Sequence, residues 1–369
     1  MKNINSNRLL DSIRDLGATG HIEGVGRARV AASDEDKAGR DFTCNLMKDA
    51  GMEVVVDRMG NIFGIWEEDY NKDQEALMIG SHIDSVINAG MYDGCYGVMG
   101  GIEVVRTLKE ADFKPERPIV IGAFTNEEGI RYQPDMMGSL VYAGGMDVDE
   151  VLKIEGVDGT ILGEELKRIG YEGTVEPGFI KPYAYLELHV EQGPILDKEG
   201  IQVGAVENLQ GISWQEITIT GEANHAGTTP TYLRKDAGLA AAKINCYLRE
   251  RALQSNGTTV ATVGTIKFEP NAINVIPDKV VFTIDLRNPN DEVLKDEEQR
   301  LKEFMENLAK EDEVQISSEQ LVRFDPVTFS EKIVQTVEKS AKKRGLTQKR
   351  MTSGAGHDAQ MIARIADVG

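Results

Sequence analysis

His82 and Asp84 stand two residues apart in GSHIDS, and Asp93 follows in YDG just before a new apolar stretch. Glu127 and Glu128 are adjacent in TNEEG, and His189 opens HVEQGP. Imidazole and carboxylate are the donors that suit Zn²⁺ and its neighbours. Asp84 is close enough in the chain to accept the second ring N–H of His82 and hold its tautomer. Taken singly, each group has a plainer reading. His82-x-Asp84 fits a capped strand–helix turn, Glu127-Glu128 a solvated acidic turn, and His189 a satisfied core histidine. Their positions in the chain separate the two readings.

Each group ends a short apolar run. ALMIG (Ala76–Gly80), PIVIGAF (Pro118–Phe124) and YAYLEL (Tyr183–Leu188) have the length and composition of buried strands. In open α/β sheets, ligands bind beyond the carboxyl ends of the strands. Chance places a histidine or glutamate at one strand end often, but rarely at all three. Around these strands the pattern predicts an amphipathic N-terminal helix, and a helix over Asp34–Ala50 capped by Ser33 or Asp34. A hairpin of Met52–Asp57 and Ile62–Trp66 turns at Gly60-Asn61, Gly97–Leu108 is a helix, and 138–169 is a set of helical pieces broken by glycines. Strands alternating with helices predict an α/β fold, a doubly wound and mostly parallel sheet.

Beyond about residue 209 the order changes. Ile212–Thr220, a helix over Lys235–Leu248, Thr258–Phe268, Lys279–Arg287, a helix over Asp291–Ala309 and Val314–Val322 give βαββαβ, the split βαβ or ferredoxin-like order. Val280, Phe282, Ile284 and Leu286 share one face of their strand; Val281, Thr283, Asp285 and Arg287 share the other. Leu294, Leu301, Met305 and Leu308 form one helical stripe. The expectation is a catalytic domain of residues 1–209 and 323–369, with an inserted domain of residues 210–322. One face of the inserted sheet takes its helices, and the other is left for solvent or a second subunit. The chain then returns through a helix capped by Ser330 and running to about Lys343, a glycine-rich turn at Met351–Asp358, and a helix at Ala359–Ile365. A new strand begins at the last residues.

The chain has 369 residues, enough for two domains, and 41% apolar with 28% charged residues is an ordinary globular balance. A formal charge of −20 argues against nucleic acid or an anionic membrane surface as partner, though a local cationic site can still hold a small anion. Three widely spaced cysteines, Cys44, Cys95 and Cys246, indicate neither a disulfide framework nor a thiolate zinc site, and fit a reducing cytoplasm. No run is long enough to span a membrane, and the N-terminus has no signal-peptide core.

GSHIDSV…GMYDG, TNEEGIRYQPDMMGS, LELHVEQGP, ANHAGTTP, NAINVIPD…DLR and SGAGHDA, in this order over nearly the whole chain, resemble the N-carbamoyl-L-amino-acid amidohydrolases (L-carbamoylases). Allantoate amidohydrolases and β-ureidopropionases are their relatives, within the dinuclear zinc aminoacylase/carboxypeptidase superfamily. The resemblance implies two divalent ions per subunit, Zn²⁺ foremost, with Mn²⁺, Co²⁺ or Ni²⁺ as alternatives. His82 and His189 would bind one ion, Asp93 would bridge both, and Glu128 would bind the second. Glu127 would be the general base, since adjacent side chains diverge and can serve metal and water separately. His225 would stabilise the oxyanion, against the plain reading of an exposed loop histidine. Asn274 and Arg287 would hold the substrate carboxylate, a planar task that suits arginine; a surface salt bridge to Asp285 is the other reading of Arg287. Gln192 and the glycine turn ending at Gly356 would line the pocket, or merely pack.

The implied reaction cleaves the ureido C–N bond of an N-carbamoyl-L-amino acid to amino acid, CO₂ and ammonia. An allantoate or β-ureido acid hydrolase is the alternative, and a non-catalytic dimeric binding or scaffold homologue a second; a peptidase of the superfamily fits the extended motifs less well. A homodimer through the inserted domain is expected, with hinges near 209–211 and 322–326. One departure stands out. The family's last metal ligand is a histidine in a His-Ser-Pro-x-Glu-like segment near the C-terminus, which this sequence lacks; His21 and His357 do not match it. The expectation is a truncated chain or a weakly held second ion, and turnover by these 369 residues is in question.

Overall fold

The computed structural model describes residues 3–24 and 26–369. The chain divides into two compact units: residues up to Glu207 with Phe329–Met351 and Ala355–Gly369, and Asn208–Thr328 with Thr352–Gly354. The first unit contains the helices α1 (Ser6–Ala18) and α2 (Asp34–Asp49), then strands β1 (Glu53–Val56), β2 (Ile62–Trp66) and β3 (Ala76–His82). Helix α3 (Cys95–Glu110), strand β4 (Ile119–Phe124), helix α4 (Met137–Tyr142) and strand β5 (Pro182–Leu186) follow. The six-stranded sheet has the order Asp367–Val368, β5, β3, β4, β2, β1. From Asp367–Val368 to β4 neighbours are parallel; β4–β2 and β2–β1 are antiparallel. The hairpin thus closes one edge of a parallel core.

Both faces of this sheet are covered. Ile79 and Ile121 point toward α3, and a Cβ at Gly101 would lie 2.9 Å from Ile121 Cδ1, so the missing side chain sets how closely α3 approaches the sheet. On the opposite face Phe124 packs edge-on against Phe63, Tyr142 of α4 and Tyr185, with ring centroids 6.0, 5.9 and 6.1 Å apart. The Tyr142 hydroxyl donates to the carbonyl of Ile180 at 2.7 Å, so this aromatic layer buries no unpaired O–H there.

The second unit has strand β6 (Gly211–Thr220), helix α5 (Ala237–Gln254), strands β7 (Val260–Glu269) and β8 (Lys279–Asn288), helix α6 (Asp291–Glu311) and strand β9 (Gln315–Phe324). Its antiparallel sheet runs β7-β8-β6-β9. Val280, Phe282, Ile284 and Leu286 are buried with Leu294, Leu301, Met305 and Leu308 of α6 and with Ala240 and Ile244 of α5. The alternate residues of β8 are half-buried. Asp236 and Asn290 cap α5 and α6 by accepting the N–H groups of Leu239 and Val293.

Several local expectations need correction. Met351–Ser353 belong to a strand, Gln348–Ser353, and not to a glycine turn. The helix from Ala359 stops at Ile362. Strand β5 ends at Leu186, so His189 stands in the following loop. Val203–Leu209 is also a strand. The segments QKRMTS and VGAVENL are half-buried and polar or glycine-containing, and so lack the apolar alternation by which a strand is read.

Candidate metal centre

The chain leaves β3 at His82, leaves β4 through Thr125-Asn126 into Glu127, and leaves β5 toward His189. Asp93, in the loop before α3, lies between the two histidines. Its Oδ1 is 3.1 Å from His189 Nε2 and 3.8 Å from His82 Nε2. One ligand atom from each of His82, Asp93 and His189 lies within 4.8 Å of the others. Glu127 Oε2 is 3.4 Å from His82 Nε2. Gly94 follows Asp93 at φ 62°, and a Cβ there would collide with the His82 ring, so the Asp93-Gly94 pair is a steric condition of the cluster.

Both histidines have the tautomer a metal ligand needs. His82 Nδ1 is 3.0 Å from the Asp84 carbonyl and His189 Nδ1 is 2.8 Å from the Val190 carbonyl. A carbonyl only accepts, so each Nδ1 carries a proton and Nε2 is the nitrogen turned toward Asp93, the one a metal ion would take as ligand. This corrects the expectation for Asp84: its backbone, not its carboxylate, accepts from His82, and Oδ1 is 3.8 Å away. The carboxylate accepts instead the N–H groups of Glu127 and Glu128 at 3.2 and 3.3 Å, and so ties the β4 loop to the β3 loop. Glu127 and Glu128 diverge: the first faces His82, while Glu128 Oε1 accepts the Val86 N–H at 3.3 Å.

Negative charge is in surplus. Burial, with Glu128 and Asp84 nearby, pushes the Glu127 carboxyl well above its usual range. Burial pushes Glu128 up to about 7, against the pull of His82. Burial would lower His82, but Asp84, Glu128, Asp358 and Asp93 outweigh it and hold the imidazole at about 9. Burial would raise Asp93, but His189 and His82 outweigh it and hold that carboxyl low. Burial and an excess of carboxylates over imidazoles together raise Glu127 and Glu128, the same excess raises His82 against its burial, and divalent cations would neutralise that excess. The donors are N and O, with no thiolate among them, and they fit hard or borderline divalent ions.

Buried polar side chains brace the strand ends. Arg29 Nε donates to the Ile83 carbonyl at 2.5 Å and Nη2 to Cys95 Sγ at 3.0 Å, holding the segment between His82 and Asp84. Asn61 accepts the Thr125 N–H at 2.9 Å and donates to Asp57 and to the Gly138 carbonyl, while Arg40 donates to Thr125 Oγ1. The charge and hydropathy pattern did not single out these residues. Asn61 carried a weak signal as part of a Gly-Asn turn.

The remaining candidates fall into separate groups. Gln192 donates to Asp93 Oδ2 and has φ 55°, while Gly356 packs beside Met136 and Gln360, all within the first unit. In the second unit, the Ala226 N–H donates to the Asn274 carbonyl and the Ile276 N–H to the Asn224 carbonyl, both at 2.9 Å, which brings His225 and Asn274 onto paired loops. His225 Nδ1 accepts the Gly227 N–H at 3.1 Å, and its side chain is exposed. Arg287 grips Asp285 through Nε and Nη2 at 2.8 and 2.7 Å, and Nη1 donates to the Gly354 carbonyl at 2.9 Å.

Residues 78–369 match the model of peptidase family M20/M25/M40. The chain is 38% identical over 365 residues to an N-carbamoyl-L-amino-acid amidohydrolase of Rhizobium meliloti, covering 99% of this chain and 88% of that protein. It is 35% identical to a ureidoglycolate hydrolase of Arabidopsis thaliana, covering 98% and 78%. Allantoate amidohydrolases of Bacillus subtilis and Escherichia coli are also similar. A crystal structure of a hydantoinase/carbamoylase family amidase from Burkholderia multivorans superposes with a TM-score of 0.96 at 39% identity, covering 99% of this chain and 89% of that one.

Proposed function

We propose, for a chain that belongs to peptidase family M20/M25/M40, that it is a metal-dependent amidohydrolase cleaving the ureido C–N bond of N-carbamoyl-L-amino acids. It is a hydrolase of C–N amide bonds, as its relatives are. The observation that carries the metal reading is the convergence of His82, Asp93 and His189 at the strand ends. His82, Asp93, Glu128 and His189 would hold two divalent ions, Zn²⁺ foremost. Bound there, such ions supply a water that ionises near neutral pH and polarise the scissile carbonyl.

The chain's own groups do the rest. Glu127 is buried and faces His82, which places it as the base that takes a proton from water and passes it to the leaving nitrogen. The Nδ1–H bonds to backbone carbonyls leave both Nε2 atoms to serve as ligands. Gln192 orients Asp93. In the second unit, His225 presents its Nε2 edge for an oxyanion, since Nδ1 is already taken by the Gly227 N–H. Asp285 orients the Arg287 guanidinium, which with Asn274 holds the substrate carboxylate, and Gly356 lines the pocket. Residues 210–322 form the lid and the dimer contact, and residues 1–209 with 323–369 the catalytic domain. Three free cysteines fit a cytoplasmic enzyme.

The test is turnover after chelation and after return of Zn²⁺, Mn²⁺, Co²⁺ or Ni²⁺, over a panel of N-carbamoyl-L-amino acids, allantoate and β-ureido acids. Full turnover in metal-free protein would overturn the reading. Turnover of allantoate alone would select the second reading, which the allantoate amidohydrolase relatives favour. Metal binding with no turnover on the whole panel would select a binding protein.

A further inference from the structure

Two residues before His189, the Glu187 side chain is completely buried. Its Oε1 accepts from Ser81 Oγ at 2.6 Å; its Oε2 accepts from the Ala359 N–H at 2.8 Å and from Tyr185 Oη and His357 Nδ1, both at 3.2 Å. Ser81 is the neighbour of His82. The β3–β5 register reaches only Ile79 and Leu186, so beyond that pair the Ser81–Glu187 bond joins the strand ends carrying the two histidines. His357 in turn lies stacked on His189, with ring centroids 5.7 Å apart and planes at 23°, and Phe329 meets its ring edge-on at 5.9 Å. The His189 ring is therefore held on one edge by the Val190 carbonyl and on one face by His357, and Glu187 sets where His357 lies.

We propose that Glu187 is a positioning residue of the metal centre: it locks the two histidine-bearing strand ends together and, through His357, fixes the plane of the His189 imidazole. The inference rests on the metal reading above. A carboxylate suits this place because it accepts on both oxygens, whereas a glutamine would turn an amide N–H₂ toward groups that themselves donate. Groups of this kind, bonded behind the ligands, change metal affinity by about 10- to 100-fold when removed.

The test compares Co²⁺ binding by competition with a chelating dye, and the visible spectrum of the bound Co²⁺, in the wild-type chain and in Glu187→Gln, Ser81→Ala and His357→Phe. His357→Phe keeps a ring face against His189 but loses the bond to Glu187. The control is Glu103→Gln, which removes another buried carboxylate, bonded to Arg8 and Asn5 and remote in its contacts from the ligands. The expected result is a loss of Co²⁺ affinity of about 10- to 100-fold and an altered spectrum in Glu187→Gln, with smaller changes of the same kind in Ser81→Ala and His357→Phe. Glu103→Gln should lower the melting temperature and leave affinity and spectrum unchanged. Wild-type affinity and spectrum in Glu187→Gln would overturn the inference. If Glu187→Gln does not fold, the same result in both Ser81→Ala and His357→Phe would overturn it. A wild-type chain that binds no Co²⁺ would instead overturn the metal reading itself.

Discussion

The two units hold their candidate residues in opposite ways. In the first, His82, Glu127 and Asp84 are buried, and each strand end is tied by side chains that have no role in the chemistry: Arg29, Asn61, Arg40, Glu187. In the second, His225 and Asn274 sit exposed on paired loops, and Arg287 is shared with Asp285. A metal centre needs ligands fixed before the ion arrives, because their mutual repulsion would otherwise spread them. Groups that meet a substrate can stay solvated until it binds, and exposed polar loops allow this without a buried unpaired atom.

The contrast is most exposed to refutation at Glu127. Glu127→Gln should retain bound metal and lose about 10²- to 10⁴-fold in kcat, because the amide cannot take the proton. Loss of metal in Glu127→Gln but not in Glu128→Gln, measured by metal analysis, would exchange the two roles. Arg287→Ala should cost about 10²-fold in kcat/KM for substrates bearing a carboxylate, the lower part of the range for a truncated charge pair because Asp285 already shares the guanidinium. A carbamoyl amide lacking that charge should be little affected, and Arg287→Lys should restore activity only in part. Equal losses on both substrates would make Arg287 a structural partner of Asp285.

Smaller effects test the braces. Asn61→Ala leaves the buried Thr125 N–H without its partner and removes the side-chain bonds to Asp57 and to the Gly138 carbonyl, though the backbone N–H of residue 61 still donates to Asp57; it should lower unfolding free energy by about 2–3 kcal/mol in denaturant titration. The comparable exposed change, Asn274→Ala, should be nearly neutral for stability. Burial raises Asp57 to about 7, against its bonds from Asn61. A raised acid is protonated in the folded chain while already ionised in the unfolded one, so its contribution is complete below about pH 4 and is lost as pH rises toward 7. Relative to Asp57→Asn, the wild-type chain should lose up to about 1.4 kcal/mol per pH unit across that window; no difference in slope would mean that the carboxylate ionises freely in place.

Much of this was legible along the chain. Ile62–Trp66 is a strand at the expected residues, because five apolar positions between turn signals leave few alternatives. The helix at Asp34–Asp49 begins after a serine that caps it, and the two faces of Lys279–Asn288 alternate as read. These features depend on near neighbours and on period, which a sequence displays directly. Strands such as Val203–Leu209, broken up by Gly204, Glu207 and Asn208, and the largely polar Gln348–Ser353 did not show, because such segments are held in place by their pairing partners and not by their own composition.

For the metal centre, sequence patterning put His82, Glu127, Glu128 and His189 at the ends of three strands, and the family resemblance added Asp93 to them. Why glycine must follow Asp93 is a matter of tertiary structure, since the His82 ring takes the space of a side chain there. Only the tertiary structure decided that the Asp84 backbone rather than its carboxylate meets His82, and that Glu127 rather than Glu128 faces that ring. The same holds for Glu187, which reads as an ordinary strand-end acid until Ser81, Tyr185, His357 and Ala359 are seen to converge on it. The reason is physical. Strand ends are set by local patterning, whereas a hydrogen bond between residues more than a hundred positions apart depends on a few tenths of an ångström of packing that no local pattern encodes.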